Sequence, residues 1–456
     1  MQPDKLSCPV TQDQPWGQAV ARILAAALQA VDPADAVARH LTRHNHHLQA
    51  GEHSYDLENF ERIWLVGAGK AGAPMAVAAA RILEGYHYQG LIVVKEGYAE
   101  ISGRLPTGLE ILEAGHPLPD ERGVTSTRRI RTMLEEAGPD DLVICLISGG
   151  GSALLTDPAG DLTLTDLQEL TRLLLASGAT INEINCLRKH LDAVKGGGLV
   201  RMAAPAHLLT LILSDVVGDP LDVIASGPTV PDTTTFTDAW NVLERYELLD
   251  QCPPRVLRWL ENGKSGTIAE TLKPGDDLFE RVSNLVIGSN RLAAEAAILQ
   301  SQVEGFHPLL LTTYLQGEAR QAGVFLAAIA RQISSSDQPI PRPACVVIGG
   351  ETTVTMRGDG LGGRNQELAL GAVRPLDRLP NIALVTLATD GGDGPTDAAG
   401  AVVTGETLSQ AKQLNLDLED FLGRNDSYHF FEKLGGLLKP GPTMTNVNDL
   451  TFLFAF

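Results

Sequence analysis

The hydrophobic pattern of the chain repeats one unit: a short apolar run, then glycine with a polar residue, then a stretch with helical spacing. The clearest copy begins with the apolar run 63–66, continues as Gly67-Ala-Gly69-Lys70-Ala-Gly72, and ends in a small-residue helix over 73–83. The next apolar run, 91–94, completes a strand–helix–strand unit. The repeated unit predicts an α/β fold, in which such strand ends converge on a crevice that holds the ligand.

The same reasoning predicts the other elements of the chain. Further strands are expected at 111–114, 142–147, 207–213, 308–312, 346–348, 352–356 and 383–387, and helices at 17–31, 33–45, 123–137, 165–177, 238–260, 290–304 and 318–333. Thr165 is the expected cap of its helix.

Composition divides the chain into two domains. Residues 1–265 are predicted to form the larger domain, with 1–15 as a loose N-terminal segment. Residues 266–280 are polar and rich in Gly, Lys and Asp, which is typical of a linker. Residues 281–456 are predicted to form the smaller domain. A length of 456 residues is consistent with two or three domains.

The net charge limits the classes of binding partner, and the cysteine content indicates the cellular compartment. The net charge of −20 argues against nucleic acid and anionic membrane as partners. The five cysteines form no CxxC pair, and Cys145 and Cys345 lie in apolar runs, so we expect core thiols in a reducing compartment. Without a signal-peptide pattern or a long apolar run, the expected location is cytoplasmic. The sequence does not determine the oligomeric state, and it is compatible with a homodimer.

The stretch 346–370 combines several groups that suit an anion. Its apolar strand ends in Gly349-Gly350, so the carboxylate of Glu351 is expected at a strand end. Gly362-Gly363-Arg364 then opens a helix, where free N–H groups and a guanidinium fork favour phosphate or carboxylate. A glycine-rich hairpin with an ordinary surface arginine is the alternative interpretation of the same residues.

Three more glycine-rich segments carry cations or hydroxyls. Lys70 lies inside the first loop, where an ammonium at a helix start opposes the helix dipole unless an anion is near. Ser148-Gly149-Gly150-Gly151-Ser152 is a candidate phosphate nest, and Lys195 precedes a similar glycine run. The alternatives are simple tight turns and a lysine whose stem covers its loop while its head stays in water.

Acidic residues follow several strands. Asp215 and Asp390 each come directly after a buried strand, which favours Mg²⁺ binding or a role as base. Asp393 and Asp397 are interpreted instead as turn or cap residues. The histidines His116, His190 and His207 lack metal-ligand spacing and are expected to be structural.

These motifs together resemble the class II glycerate 2-kinase family, whose C-terminal part is called the MOFRL domain. The similarity runs from about residue 18 to the C-terminus. Its carriers are Gly67-Ala-Gly-Lys70-Ala, Gly115-His-Pro, Ser148-Gly-Gly-Gly-Ser-Ala-Leu, Asn182-Glu-Ile-Asn185-x-x-Arg188-Lys-His, Lys195-Gly-Gly, Ser214-Asp215-Val-x-Gly-Asp, Gly349-Gly-Glu351-Thr-Thr-Val, Gly362-Gly-Arg364-Asn-Gln-Glu and Thr389-Asp-Gly-x-Asp-Gly. Cys186 and Leu187 depart from the family pattern.

The resemblance implies a Rossmann-like larger domain, a smaller α/β domain of MOFRL type and a site in the cleft between them. It also implies transfer of phosphate from ATP to D-glycerate, giving 2-phosphoglycerate and ADP with Mg²⁺. The expected roles follow from the matched motifs: catalytic groups Lys70, Arg364 and Asp215; substrate and nucleotide contacts Gly67, Gly69, Ser148, Gly149, Gly150, Gly151, Ser152, Arg188, Lys195 and Asn446; metal ligands Glu351 and Asp390.

Two other functions stay open from the sequence. The G-x-G-x-x-G motif also suits an NAD(P)H-dependent hydroxypyruvate reductase, and relatives carry that label. Glu96, after the second strand, is the candidate ribose contact, although Lys95 crowds it. The third hypothesis is a non-catalytic sensor of sugar acids or nucleotides, against which the many carboxylates argue.

Overall fold

The computed structural model of the protein describes residues 1–99 and 104–456. Its α-helices are α1 (Pro9–Gln12), α2 (Gly17–Ala30), α3 (Pro33–His40), α4 (Gly72–Ile82), α5 (Glu121–Glu135), α6 (Gly151–Leu154), α7 (Leu164–Ser177), α8 (Ile181–Leu191), α9 (Gly198–Ala203), α10 (Phe236–Arg245), α11 (Pro254–Lys264), α12 (Asn290–Val303), α13 (Ala319–Ser336), α14 (Arg364–Ala372), α15 (Thr407–Gln413), α16 (Leu418–Arg424) and α17 (Ser427–Leu434). Its strands are β1 (Leu41–His44), β2 (His47–Ala50), β3 (His53–Asp56), β4 (Arg62–Ala68), β5 (Tyr88–Lys95), β6 (Leu109–Ala114), β7 (Asp141–Ile147), β8 (His207–Leu213), β9 (Val282–Gly288), β10 (His307–Leu315), β11 (Ala344–Gly350), β12 (Ile382–Ala388), β13 (Gly400–Thr404), β14 (Leu437–Leu438) and β15 (Asp449–Ala455).

The chain folds into two units. The larger unit contains residues 33–287, and the smaller unit contains residues 1–32 together with 288–456. This division differs from the predicted one at the N-terminus, because the apolar face of α2 packs against α12 and Arg22 pairs with Glu304 at 2.7 Å. It also differs at the expected linker, because residues 266–280 pack within the larger unit and Leu272 is buried there.

The larger unit contains a six-stranded sheet in the order β6-β5-β4-β7-β8-β9. The pairs β4–β5, β5–β6, β4–β7 and β7–β8 are parallel. Numbered along the chain, this is the 3-2-1-4-5-6 order of the Rossmann fold, so the predicted fold class is confirmed. The strand order reverses between β4 and β7, and ligands of such sheets bind outside the carboxyl ends of the strands at that point.

Close packing of β4 on β7 requires a glycine. A Cβ placed on Gly67 would lie 2.0 Å from the carbonyl oxygen of Leu146 in β7. Gly67 belongs to β4 itself and not to the turn that follows. Its geometry therefore explains the first glycine of the motif by strand packing.

The smaller unit contains a six-stranded mixed sheet in the order β10-β11-β15-β12-β13-β14. β15 is antiparallel to both neighbours, and Asp449 at its start pairs in register with Gly350 of β11 and Ala388 of β12. The carboxyl ends of β11 and β12 therefore flank the amino end of β15 at one edge of the sheet. Helix α14 begins with Arg364, the residue that the sequence placed at a helix start.

Several predicted elements differ in their bounds for local reasons. The helix expected over 238–260 splits into α10 and α11, because Pro253 and Pro254 interrupt the backbone hydrogen bonding. The helix expected to reach residue 45 ends at His40, since Leu41–His44 pairs with β2. Residues 352–356 form no strand beyond an isolated bridge at Thr353. Thr163, and not Thr165, caps α7.

Two further expectations concern the cysteines and membrane-spanning helices. All five cysteines are free and buried, which confirms the core role predicted for Cys145 and Cys345. Within the described residues, the structure contains no helix that is both long enough and apolar enough to cross a membrane.

Candidate functional site

Two loops meet at the switch point of the larger sheet. The amide of Lys70 donates to the carbonyl of Gly149 at 2.8 Å, and the amide of Ser148 donates to the carbonyl of Ala68 at 3.1 Å. These bonds continue the β4–β7 ladder into the loops. The glycine loop after β4 and the serine–glycine loop after β7 are therefore one connected surface.

The turn at residues 69–72 uses its own backbone donors internally. Its four successive N–H groups donate to Val93 O at 3.1 Å, Gly149 O at 2.8 Å, Ser148 Oγ at 3.0 Å and Gly69 O at 3.0 Å. A Cβ on Gly69 would lie 2.0 Å from Ser148 Oγ, so only glycine admits this contact. The turn cannot hold a pyrophosphate through these amides, as a dinucleotide-binding loop does.

The loop at residues 148–152 has the opposite property. In the part of the chain that the structure describes, the amides of Gly149, Gly150 and Ser152 donate to no protein acceptor. Gly150 has φ +86°, in the left-handed region that turns successive N–H groups to one side. This geometry fits the phosphate nest expected from the sequence. Gly151, by contrast, starts α6 and donates to the carbonyl of Ser148 at 3.2 Å.

A cation, a carboxylate and an imidazole adjoin this loop. Among the described residues, the Lys70 ammonium has no ion-pair or hydrogen-bond partner, and its Cγ lies 3.7 Å from where a Gly150 Cβ would stand. A Cβ on Gly149 would lie 2.3 Å from Asp215 Oδ2. Burial, together with the charges of Lys70 and Lys95, lowers the pKa of His116 to about 4, so this ring is neutral at pH 7.

A pocket of about 190 Å³ opens beside the loop. Its lining includes Gly150, Ser152, Arg188 and Lys195, together with leucine and isoleucine side chains from α7 and α8 and further polar residues such as His116. The volume is below the roughly 300–1,000 Å³ of pockets for drug-sized ligands, so it suits a small molecule. The structure thus brings together four of the predicted binding residues.

The two cations of this pocket differ in their availability. Burial lowers the pKa of Arg188, and its hydrogen bond in the described residues goes to the amide oxygen of Asn185 at 3.5 Å. Lys195 instead uses three acceptors: Asp192 Oδ2 at 2.5 Å, Leu155 O at 3.0 Å and Thr156 Oγ1 at 3.3 Å. Lys195 therefore stabilises the pocket wall, and its contact with substrate or nucleotide stays a prediction.

Ser152 is connected to Arg188 through a polar chain. Its hydroxyl lies 2.6 Å from that of Ser226, whose hydroxyl donates to Asn185 Oδ1 at 3.0 Å. Asn185 also accepts from Arg188. Ser226 and Asn185 were not predicted as site residues, although Asn185 lay inside the motif that carried the family resemblance.

In the smaller unit, Arg364 is held by two carboxylates. Its Nε and Nη2 donate to Asp449 at 2.5 and 3.3 Å, and its Nη1 donates to Glu351 at 2.6 Å. Burial acts to lower the pKa of Arg364, but the charges of Asp449 and Glu351 outweigh it and raise that pKa. Arg364 therefore lies at the predicted helix start, but its guanidinium is already paired with two carboxylates.

Asp449 is the functional candidate that the sequence interpretation missed. It is buried, it starts β15, and it lies between the ends of β11 and β12. Its signal was weak, because it is one polar residue at the start of a hydrophobic run near the C-terminus. The register of an antiparallel strand far along the chain decides its position, and local sequence does not encode that register.

Asp393 caps helix α14. Its carboxylate accepts from the amides of Asn365 at 3.1 Å and Gln366 at 2.8 Å, which confirms its predicted cap role. Burial raises its pKa to about 7, with a further contribution from Asp449. Asp397 lies in the bend that follows the turn at residues 394–395, and its carboxylate pairs with Lys439 at 3.1 Å.

Two predicted site residues are local turn acceptors. Asp390 Oδ1 accepts from the amide of Gly392 at 3.2 Å, and Asn446 Oδ1 accepts from the amide of Asn448 at 3.2 Å. Both side chains are half-buried at the same sheet edge as Glu351. Each keeps a second polar atom that the turn does not use.

The oxygen donors at this edge fit Mg²⁺ by type. Mg²⁺ binds through one or two carboxylates plus substrate phosphates and water, so a complete protein cage is not needed. Glu351 and Asp390 supply such carboxylates, although among the described residues they belong to no group of three converging ligands. The side chain of Glu351 is 41% exposed, which leaves its second oxygen accessible.

Comparison with known proteins identifies the family of this chain. Residues 19–261 match a family described as a domain of unknown function, DUF4147, and residues 344–449 match the MOFRL family. The glycerate 2-kinase of Pyrococcus horikoshii is 41% identical over 430 residues, covering 94% of this chain and 95% of that protein. This chain belongs to the glycerate 2-kinase family.

Other members of the glycerate 2-kinase family agree over similar lengths. The D-glycerate 2-kinase of Thermotoga maritima is 43% identical over 392 residues, 86% of this chain and 90% of that protein. A crystal structure of a glycerate kinase from the same organism superposes with a TM-score of 0.86 at 39% identity, covering 96% of this chain and 99% of that one. A protein of Agrobacterium vitis that carries the name hydroxypyruvate reductase is 39% identical, over 95% of this chain and 93% of its own. The location of the site in a cleft between the domains stays a prediction.

Proposed function

We propose that the protein transfers the γ-phosphoryl group of ATP to the 2-hydroxyl of D-glycerate, giving 2-phosphoglycerate and ADP, with Mg²⁺ as the metal. Residues of both units take part in this reaction. The free, buried cysteines fit a reducing compartment, and we assign the reaction to the cytoplasm.

The observation that supports this proposal best is that the two loops of the larger unit offer different groups to a phosphate. The turn at residues 69–72 has no backbone donor left for phosphate, but it holds the unpaired ammonium of Lys70 beside the free amides of Gly149, Gly150 and Ser152. A cation beside a nest of N–H groups is what phosphoryl transfer requires, since its catalysis rests on positioning and charge stabilisation.

The small pocket beside this loop suits the glycerate. The guanidinium fork of Arg188 matches a carboxylate in two parallel hydrogen bonds. Ser152 and the Ser226–Asn185 chain supply hydroxyl and amide partners for the hydroxyl groups of a small sugar acid. Such a pocket would hold the 2-hydroxyl beside the nest and beside Asp215, which orients the hydroxyl or accepts its proton.

Arg364 contributes charge from the smaller unit. Asp449 fixes the guanidinium through Nε and Nη2, which leaves Nη1 as the donor able to turn from Glu351 to a phosphate oxygen. Glu351 and Asp390 would hold Mg²⁺, which when bound neutralises phosphate oxygens. Asn446 has its amide nitrogen available for the nucleotide or the substrate.

The reductase hypothesis has less support in the residues. A dinucleotide-binding loop contacts pyrophosphate through amides that are already used at residues 69–72. Glu96, the candidate ribose contact, is 68% exposed and pairs with Arg122 at 2.9 Å. The Rossmann strand order and the names of two relatives still support this hypothesis.

A pair of assays separates the two functions. The protein is incubated either with ATP, Mg²⁺ and D-glycerate, with release of ADP measured, or with NADH and hydroxypyruvate, with loss of NADH absorbance measured. We expect glycerate-dependent ADP release and no NADH oxidation. The reverse pattern would overturn the proposal, and ligand binding without either reaction would support the sensor hypothesis.

A further inference from the structure

Five of the eleven histidines of the chain lie between residues 40 and 53, from the last residue of α3 to the start of β3 in the three-stranded antiparallel sheet of the larger unit. Two of them, His46 and His47, stand with Asp56 so that one ligand atom of each residue lies within 4.8 Å of the others. None of these three residues belongs to the groups assigned to phosphoryl transfer.

The backbone holds these three residues in place. His47 of β2 pairs directly with Asp56 of β3, and the amide of Leu57 donates to the carbonyl of His46 at 2.8 Å. The two imidazole rings lie 4.2 Å apart, centroid to centroid. Ligands on a paired strand and its adjoining turn need only side-chain rotation to converge. Metal binding therefore costs little backbone conformational freedom.

The ligand atoms are also available. Within the described residues, the ring nitrogens of His46 and His47 have no hydrogen-bond partner in the protein. Asp56 uses Oδ1 to accept from the amide of Glu58 at 3.1 Å, which orients the carboxylate and leaves Oδ2 for a ligand. A carboxylate fixed by a backbone donor is the outer-shell support that metal sites show.

We propose that His46, His47 and Asp56 form a Zn²⁺ site that is separate from the Mg²⁺-dependent reaction. Two imidazoles and one carboxylate suit a borderline divalent ion and disfavour Mg²⁺, which prefers oxygen ligands alone. Tetrahedral bonds of about 2.0–2.2 Å place ligand atoms about 3.4 Å apart, a contraction that the exposed His47 and the half-buried His46 and Asp56 reach by side-chain rotation. Water completes the coordination, and the bound ion joins β2 to the end of β3.

The test is Zn²⁺ competition against a chromophoric chelator, using the full-length chain without a histidine tag and with excess Mg²⁺ in every sample. We expect one Zn²⁺ per chain. His47→Ala and Asp56→Asn should each weaken binding at least about tenfold, since even outer-shell changes cost 10–100-fold. Asp56→Asn keeps a side-chain oxygen that can accept from the amide of Glu58. That variant therefore removes the negative charge and preserves the turn.

His53→Ala is the matched control, because it removes an exposed histidine of the same sheet that is outside the three-residue group. Its affinity for Zn²⁺ should equal that of the unaltered chain. Absence of bound Zn²⁺ in the unaltered chain, or equal affinity in His47→Ala, would overturn the proposal. Glycerate-dependent ADP release measured on the same samples reports the kinase proposal separately.

Discussion

Asp449, at the start of β15, accepts two hydrogen bonds from Arg364, at the start of α14. Its two carboxylate oxygens lie 2.5 and 3.3 Å from Nε and Nη2 of the guanidinium. Asp449 is 10% exposed at its side chain, whereas Glu351 on the opposite edge of the guanidinium is 41% exposed. The buried carboxylate therefore fixes the position of the fork, and the exposed one is the partner that can be exchanged.

Asp449→Asn tests this positioning role. Loss of the charge and of one acceptor should let the guanidinium rotate, and displacement by about 1 Å is enough to lower kcat about 100-fold. The KM for D-glycerate should change much less, which a general loss of folding would not produce. Asp397→Asn removes an exposed carboxylate of the same unit and should leave both constants unchanged. Equal kcat in Asp449→Asn and the unaltered protein would contradict the role.

Arg364→Ala tests the charge itself. By analogy with arginine fingers, its loss should lower kcat on the order of 10³-fold. Arg364→Lys should recover only part of the activity, because an ammonium lacks the fork that spans Asp449 and a phosphate. Steady-state kinetics at saturating ATP measure both variants. A loss below tenfold in Arg364→Ala would remove this residue from the mechanism.

Lys70→Ala tests the cation of the larger unit. The variant should lose about 10²–10³-fold in kcat, since the turn at residues 69–72 has no free amide that could replace the ammonium. Lys95→Ala is the comparison, because Lys95 also acts on the pKa of His116 but carries no proposed phosphate contact. Similar activity in the two variants would contradict the role of Lys70.

Gly150→Ala tests the nest. At φ +86° an alanine is strained by about 1–2 kcal/mol, and its Cβ would lie 2.9 Å from His116 Cδ2. Urea unfolding should show that loss of stability, and the KM for ATP should rise because the free amides move. Gly138→Ala, where nothing lies within 4 Å of the added Cβ, should change stability by less than about 0.5 kcal/mol. Unaltered ATP kinetics in Gly150→Ala would argue against phosphate binding here.

Asp393 should make stability depend on pH. Its folded-state pKa of about 7 is above its ordinary value of 3.8, so the folded state binds the extra proton between these values. Its contribution to stability is therefore full below about pH 4 and is lost as the pH rises through 7. Asp393→Asn keeps a cap acceptor but cannot titrate, so its Tm should fall less than that of the unaltered protein between pH 5 and 7.5. Parallel profiles would contradict the raised pKa.

The sequence allowed the order of strands and glycine loops to be predicted because each is a local pattern. The turns after β4 and β7 follow from apolar runs that end in glycine, and the helix start at Arg364 follows from Gly362-Gly363. These features depend on neighbouring residues only, so one sequence suffices.

The remaining features depend on contacts between distant segments. The amides of residues 70 and 71 are occupied by Gly149 and Ser148, and the guanidinium of Arg364 is occupied by Asp449, 85 residues further on. The sequence shows that Lys195 precedes a glycine run, but not that its ammonium pairs with the buried carboxylate of Asp192. Availability of a donor is a tertiary property, and motif analysis cannot supply it.

Proton-coupled ³¹P NMR of the product formed from ATP, Mg²⁺ and D-glycerate tests the central claim most directly. Phosphate on the 2-hydroxyl couples to the single proton of C2, so we predict a new doublet that appears with ADP and is strongly reduced in Lys70→Ala. A triplet, from coupling to the two protons of C3, would contradict transfer to the 2-hydroxyl. Absence of any new phosphate ester would contradict the kinase account as a whole.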